Sequence, residues 1–91
     1  VDAATMLMWR AVWLASERKD ALREITMAKL FASETYAKIA NMGVQIMGGY
    51  GLSAEYDMQR FFRDSRSATI AAGTSQTQRN LIAGLMGLKA R

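Results

Sequence analysis

The stretch from Asp20 to Gly51, DALREITMAKLFASETYAKIANMGVQIMGGYG, decides the fold class. Within it Ile25, Ala28, Ala32, Thr35, Ile39, Met42 and Ile46 recur at alternating steps of three and four. That is the period of one helical face, sustained as an a/d-type seam over about three heptads. Small residues dominate its first half, so a neighbouring helix can approach closely there. Asp20 suits the cap position before such a helix. Gly48, Gly49 and Gly51 follow Met47, and glycine just past a helix is the usual left-handed stop. The spacing therefore predicts one long helix from about Asp20 to about Met47.

Working outward, Met6, Trp9 and Trp13 share a face of a first helix, from Asp2 as N-cap to about Arg18. Glu17-Arg18-Lys19-Asp20 is a polar connection. A third, shorter helix starts after Ser53, with Met58, Phe61 and Phe62 on its apolar side. Ser67 to Gly73 breaks the pattern with small residues and reads as a loop. The last helix begins at Thr74-Ser75, where Ser75-Gln76-Thr77-Gln78 fits a capping box with Ser75 as cap. Leu81, Ile82, Leu85 and Leu88 form its apolar face. The expectation is an all-α chain, an antiparallel four-helix bundle, forming one domain over residues 1–91.

Composition narrows the function. The 91 residues contain no histidine and no cysteine. Disulfides, thiol chemistry, a Cys or His zinc site and a Ser-His-Asp triad are excluded. No catalytic residue and no metal ligand is predicted. The net charge of +4 is dispersed, with no run of five like charges, so nucleic acid is not an expected partner. No apolar stretch approaches the roughly 20 residues of a membrane span. Val1-Asp2 is no signal peptide, and with no initiator methionine the chain reads as a fragment or a mature product. Glu34, Glu55 and Asp64 remain as acids, with Asp64 read as the ion-pair partner of Arg63. Lys29, Lys38 and the arginines read as solvated faces, and Trp9 and Trp13 as packing.

Two places carry chemistry beyond packing. In Gln45-Ile46-Met47-Gly48-Gly49-Tyr50-Gly51, three glycines in four positions exceed what a helix stop needs. Glycine admits close backbone approach and exposes N–H groups, so the turn is either an ordinary helix end or a phosphate cradle. In Ala71-Ala72-Gly73-Thr74-Ser75-Gln76, small residues lead into a helix N-terminus. That end is either simply capped by Thr74 or Ser75, or it receives an anion or a polar ring edge, with Gln76 as donor and acceptor.

Taken together, these segments resemble a known family. Ala28-Lys29-Leu30-Phe31-Ala32 is similar to the A-K-x-F-A run of the acyl-CoA dehydrogenase C-terminal domain. Gln45 to Gly51 matches its Q-x-x-G-G-x-G motif. Arg63-Asp64, followed by Gly73-Thr74-Ser75-Gln76-Thr77-Gln78-Arg79, matches its R-D…G-T-x-[EQ]-x-x-R block. The likeness covers Met27 to Leu85. It implies the flavin-contacting domain of an enzyme that oxidises acyl-CoA thioesters at the α and β carbons, with FAD as cofactor. By resemblance, Gln45, Gly48 and Gly49 meet the FAD of a partner subunit. Thr74 and Gln76 meet the FAD of their own subunit, and Gly73 lies beside the acyl thioester. The family also implies a homo-dimer or tetramer built through the bundle, with the seam on the second helix as one candidate interface. It further implies electron-transfer flavoprotein as a partner, a place in fatty acid metabolism, and a cytoplasmic or mitochondrial-matrix location. The isolated 91 residues are expected to be inactive and to bind FAD weakly or not at all.

Two departures stand out. Many relatives carry a glutamate base immediately before Gly73, where this chain has Ala72. In the isovaleryl- and long-chain-like subfamilies the base lies on an earlier helix, and an A-G-T-S sequence accompanies that arrangement. Alternatively the chain only binds ligand, as a non-catalytic interaction module, or serves oxidase or monooxygenase chemistry. Asp57 replaces a frequent proline, a change a helix start tolerates.

Overall fold

The computed structural model describes residues 1–88. It contains four α-helices: α1 (Asp2–Ser16), α2 (Leu22–Met47), α3 (Met58–Ala68) and α4 (Ser75–Leu85). A 3-10 turn (Gly48–Leu52) follows α2. No described residue lies in a strand. The all-α reading is correct.

The helices form a layer with α2 as its spine. α1, α3 and α4 each pack on α2, and neither α3 nor α4 packs on α1 or on the other. All three run antiparallel to α2. Ala4 and Thr5 face Ala32 and Ile39, while Met8 reaches Ala28. Met58 at the start of α3 lies against Gly43. Further along, Arg66 and Thr69 border Ala37 and Glu34. α4 continues along the same flank, from Glu34 beside Arg79 to Glu24 beside Leu85. Helices α3 and α4 thus follow one another down one side of α2, and α1 takes the other.

The dimensions, 46 × 34 × 18 Å, describe a slab. Three helix rows at the usual 8–10 Å spacing account for its width, and its thickness is less than two helix diameters. The radius of gyration is 15.8 Å, against about 12 Å for a compact domain of this length. The accessible surface of 6864 Å² exceeds the roughly 5,300 Å² of a compact monomer of this size. The antiparallel four-helix arrangement expected from the sequence is present in an open form, with few residues fully buried.

Burial follows from that geometry. The expected seam is largely open: Ile25 is 50% exposed and Ile46 85% exposed. The adjacent stripe faces α3 and α4 instead. Thr26, Ser33 and Ala40 are buried there, and Leu30, Ala37, Val44 and Met47 are half-buried. It has the same three-and-four spacing, displaced by one or two residues. Its middle members are small, which lets the helix rows approach closely. Trp9 and Trp13 are more than half exposed, so they do not pack inside this chain.

Several boundaries shift for local reasons. Asp2 lies inside the first turn, and Val1 is the N-cap. α1 stops at Ser16, because Arg18 takes a left-handed φ of 55°. Asp20 does serve α2, accepting the Leu22 N–H at 3.2 Å, although Ala21 is the cap residue. α3 runs through Ser67 and Ala68, where a loop was expected. The hydroxyls of Ser65, Ser67 and Thr69 donate to carbonyls three residues back, so these small polar side chains are satisfied locally at the end of the helix.

Candidate functional site

The turn after α2 uses its glycines unequally. Gly48 holds φ at +62°, a conformation side chains disfavour. A Cβ on Gly51 would lie 2.9 Å from the Val44 carbonyl oxygen and 3.1 Å from Val44 Cα, so the chain's own packing requires glycine there. Gly49 has neither reason: its φ is ordinary and a Cβ would meet nothing within 4 Å. Gln45 and Gly49 are both exposed at this end of the layer. Glycine at position 49 answers to nothing within the described residues.

The second place is the turn from Thr69 to Thr74. Ala72 and Gly73 both take positive φ, +56° and +100°. For alanine this is a strained conformation, held by its surroundings. Those surroundings are two side chains from different helices. Gln78 Nε2 donates to the Ala72 carbonyl at 3.3 Å, and Lys29 Nζ donates to the Gly73 carbonyl at 2.6 Å. A Cβ on Gly73 would strike Gln78 Nε2. The Ser75 N–H donates to the Thr69 carbonyl at 3.1 Å, tying the turn to the end of α3. Lys29 is therefore a tertiary donor and not a solvated face.

Thr74 caps α4, its Oγ1 accepting the Thr77 N–H at 3.1 Å. Ser75 is not the cap, and the expected capping box does not form because Gln78 turns to Ala72. Ser75 is buried, and its Oγ has no hydrogen-bond partner among the described residues. A polar cleft of about 380 Å³ opens here, lined by Thr74, Ser75, Gln76, Arg66, Arg79 and Glu34 among others. Arg79 Nη2 bonds Glu34 at 2.6 Å and 2.8 Å, so one of the two cations is already balanced. Arg63 is not paired with Asp64; its guanidinium donates to Gln59 one turn earlier on α3.

Thr74 and Gln76 thus meet in one cleft, and Gly73, next to Thr74 in the chain, is not among its lining residues. Gln45, Gly48 and Gly49 lie elsewhere. The cleft borders α2 near Glu34 and Ala37, some ten residues from Gln45, or about 15 Å along a helix. The two predicted addresses are separate surfaces of one layer. Sequence reading missed Arg66, Lys29 and the role of Gln78. The A-K-x-F-A run contained Lys29, but periodicity gives no hint that a lysine reaches a residue 44 positions away.

Residues 1–86 match the family model of the acyl-CoA dehydrogenase C-terminal domain. This chain belongs to the acyl-CoA dehydrogenase family. The chain is 43% identical over 86 residues to CarC, a caffeyl-CoA reductase–Etf complex subunit of Acetobacterium woodii, covering 94% of the chain and 23% of that protein. It is 42% identical over 84 residues to the human mitochondrial short-chain specific acyl-CoA dehydrogenase, covering 92% of the chain and 20% of that protein. The solved structure of PigA with FAD and proline superposes with a TM-score of 0.92 at 27% identity, covering 98% of the chain and 23% of PigA. The chain thus spans about a fifth to a quarter of the length of these relatives. No described helix is long and apolar enough to cross a membrane. No group of potential metal ligands occurs among the described residues.

Proposed function

We propose that this chain is the C-terminal helical domain of an FAD-dependent acyl-CoA dehydrogenase, extending over residues 1–91, of which 89–91 lie outside the described residues. One observation carries the reading: Thr74 and Gln76 open onto a polar cleft beside Arg66 and Arg79, at the start of a helix. Arginines, a helix N-terminus and a two-way hydrogen-bonding amide suit a phosphate-bearing ring cofactor. The unpartnered Ser75 hydroxyl adds an unmet polar group on the same side.

In this reading Thr74 and Gln76 hold the FAD of their own subunit, and Gly73 forms the wall beside the acyl thioester. Gln45, Gly48 and Gly49 approach the FAD of a neighbouring subunit. Gly49 supports this, since nothing inside the chain asks for a glycine there. FAD supplies hydride acceptance from the β carbon, and the protein orients it. The proton on the α carbon is not removed by this turn, because the methyl group of Ala72 accepts none. A carboxylate on another part of the dehydrogenase takes that role, as the A-G-T-S sequence implies. The open apolar surfaces, including Trp9, Trp13 and Ile46, are covered by other domains and by copies of the protein in a homo-oligomer. Electron-transfer flavoprotein is the proposed electron acceptor, in keeping with the name of the CarC complex, and the protein works in the cytoplasm or mitochondrial matrix.

The test is FAD binding by the full-length protein. Thr74→Val and Gln76→Ala should each weaken FAD binding by about tenfold, the worth of one good hydrogen bond to a charged or buried group. Unchanged affinity in both would refute the assignment of this cleft. A second reading has support in Ala72 and in the likeness to PigA, solved with proline: the same scaffold serving oxidation of a substrate other than an acyl-CoA. Flavin reduction by acyl-CoA thioesters, compared with amino-acid substrates, separates the two.

A further inference from the structure

The turn carrying Thr74 is held from behind, by its carbonyl oxygens. In a trans peptide the C=O and the following N–H point in opposite directions. Gln78 binds the Ala72 oxygen, so the Gly73 N–H faces away from Gln78. Lys29 binds the Gly73 oxygen, so the Thr74 N–H faces away from Lys29. Among the described residues neither N–H has an acceptor. The left-handed Ala72 is the conformation that makes this double clamp fit, and an alanine does not settle there unaided. Lys29 also lines the shallow groove between α1 and α2, with Ala4, Thr5 and Met8. Its stem thus rests among apolar neighbours while its ammonium crosses to the turn.

We infer that Lys29 is a positioning residue: its ammonium fixes the Ala72-Gly73 turn so that the Thr74 N–H and side chain stand toward the cofactor. This rests on the assignment of Thr74 and Gln76 to FAD. Lys29 does not touch the cofactor in this inference; it acts through the Gly73 carbonyl.

The experiment uses the full-length flavoprotein and three variants, Lys29→Met, Lys29→Arg and Thr74→Val. Lys29→Met keeps the stem and removes the donor, whereas Lys29→Arg keeps a cationic donor. Two readouts are taken: amide exchange across residues 70–78 in FAD-stripped protein, and FAD affinity with the flavin absorption spectrum. Lys29→Met should speed exchange at the Ser75 amide by about tenfold, leave α1 and α3 unchanged, and weaken FAD binding by about tenfold. Lys29→Arg should restore most of both. A lysine that merely stabilised the fold would instead loosen several helices and leave the flavin spectrum of folded molecules unaltered. Unchanged exchange at Ser75 overturns the clamp. Faster exchange with normal FAD affinity overturns the positioning role, and Thr74→Val then says where the fault lies. If Thr74→Val weakens FAD, Lys29 alone was wrongly assigned; if it does not, the flavin address of this turn fails, and the role of Lys29 with it.

Discussion

Replacing the glycines of the turn after α2 one at a time should separate folding from ligand approach. In Gly51→Ala the new Cβ would sit 2.9 Å from the Val44 oxygen, 3.1 Å from Val44 Cα and 3.3 Å from Met47 Cβ. Two of these atoms are backbone and cannot swing aside. Overpacking of this kind costs about 1–3 kcal/mol. In Gly49→Ala the new Cβ meets nothing within 4 Å and the φ is compatible. That change should be neutral or stabilise by about 0.4–1 kcal/mol, through lost freedom of the unfolded chain. The two variants, two residues apart, should therefore differ by about 1–4 kcal/mol in the stability of the flavin-free protein, measured by urea denaturation. Their effects on FAD should be reversed. A methyl group at position 49 obstructs a cofactor brought close to that backbone, and affinity should fall by about tenfold or more. Gly51→Ala should bind FAD nearly normally once folded. A Gly49→Ala protein that is clearly destabilised without flavin would refute the packing argument. One that binds FAD with full affinity would refute the cofactor argument.

Other outcomes follow from single contacts. Glu24 is buried, and its own backbone N–H, followed by the Arg23 guanidinium at 3.0 Å, holds its carboxyl below the ordinary value of 4.5. A depressed carboxyl contributes stability that is present above its unfolded value and lost as pH falls through the folded one. Glu24→Gln should therefore lower stability at pH 7, where the charged carboxylate contributes, and converge with the unsubstituted protein as pH falls below about 4.5, flattening the acid limb. Ser75→Ala removes a buried hydroxyl without a partner, so flavin-free stability should stay level or rise by up to about 1 kcal/mol, read by thermal melting. The Glu34–Arg79 pair is short but half exposed. A double-mutant cycle with Glu34→Gln and Arg79→Gln should give a coupling of about 0.2–1 kcal/mol that shrinks in salt.

Much of the fold was legible in the sequence. The long α2 ends at Met47 as its spacing and glycines indicate, and Thr74 sits at the start of α4 within a residue of expectation. The seam is the instructive case. Ala28, Ala32 and Ile39 meet α1, where close approach was expected, yet Ile25, Met42 and Ile46 share the same period and stay open to solvent. Hydropathy identifies what must leave water, but it does not say whether the covering surface belongs to the same chain. In a single layer, the inter-row contacts go to residues small enough for close approach, such as Ser33 and Ala40, and the large apolar side chains stand on the faces. The same argument covers Trp9 and Trp13. The Lys29–Gly73 bond was hidden for a different reason. A contact across 44 residues depends on how the rows register, which no local pattern encodes. Arg63 turns to Gln59, four residues back on the same helical face, and not to its sequence neighbour Asp64.

An open slab only 18 Å thick also has a thermodynamic signature. The steepness of an unfolding transition and its heat-capacity change both scale with the area released. With 6864 Å² already in water, this layer has less than usual left to expose. Unfolded by itself it would melt over a broad range, with a shallow denaturant slope, whatever its midpoint. Sharpness would come only with neighbours on both faces, so the cooperativity of this piece is a property of the assembly. The width of the melting curve, more than its temperature, would then report whether those faces are covered.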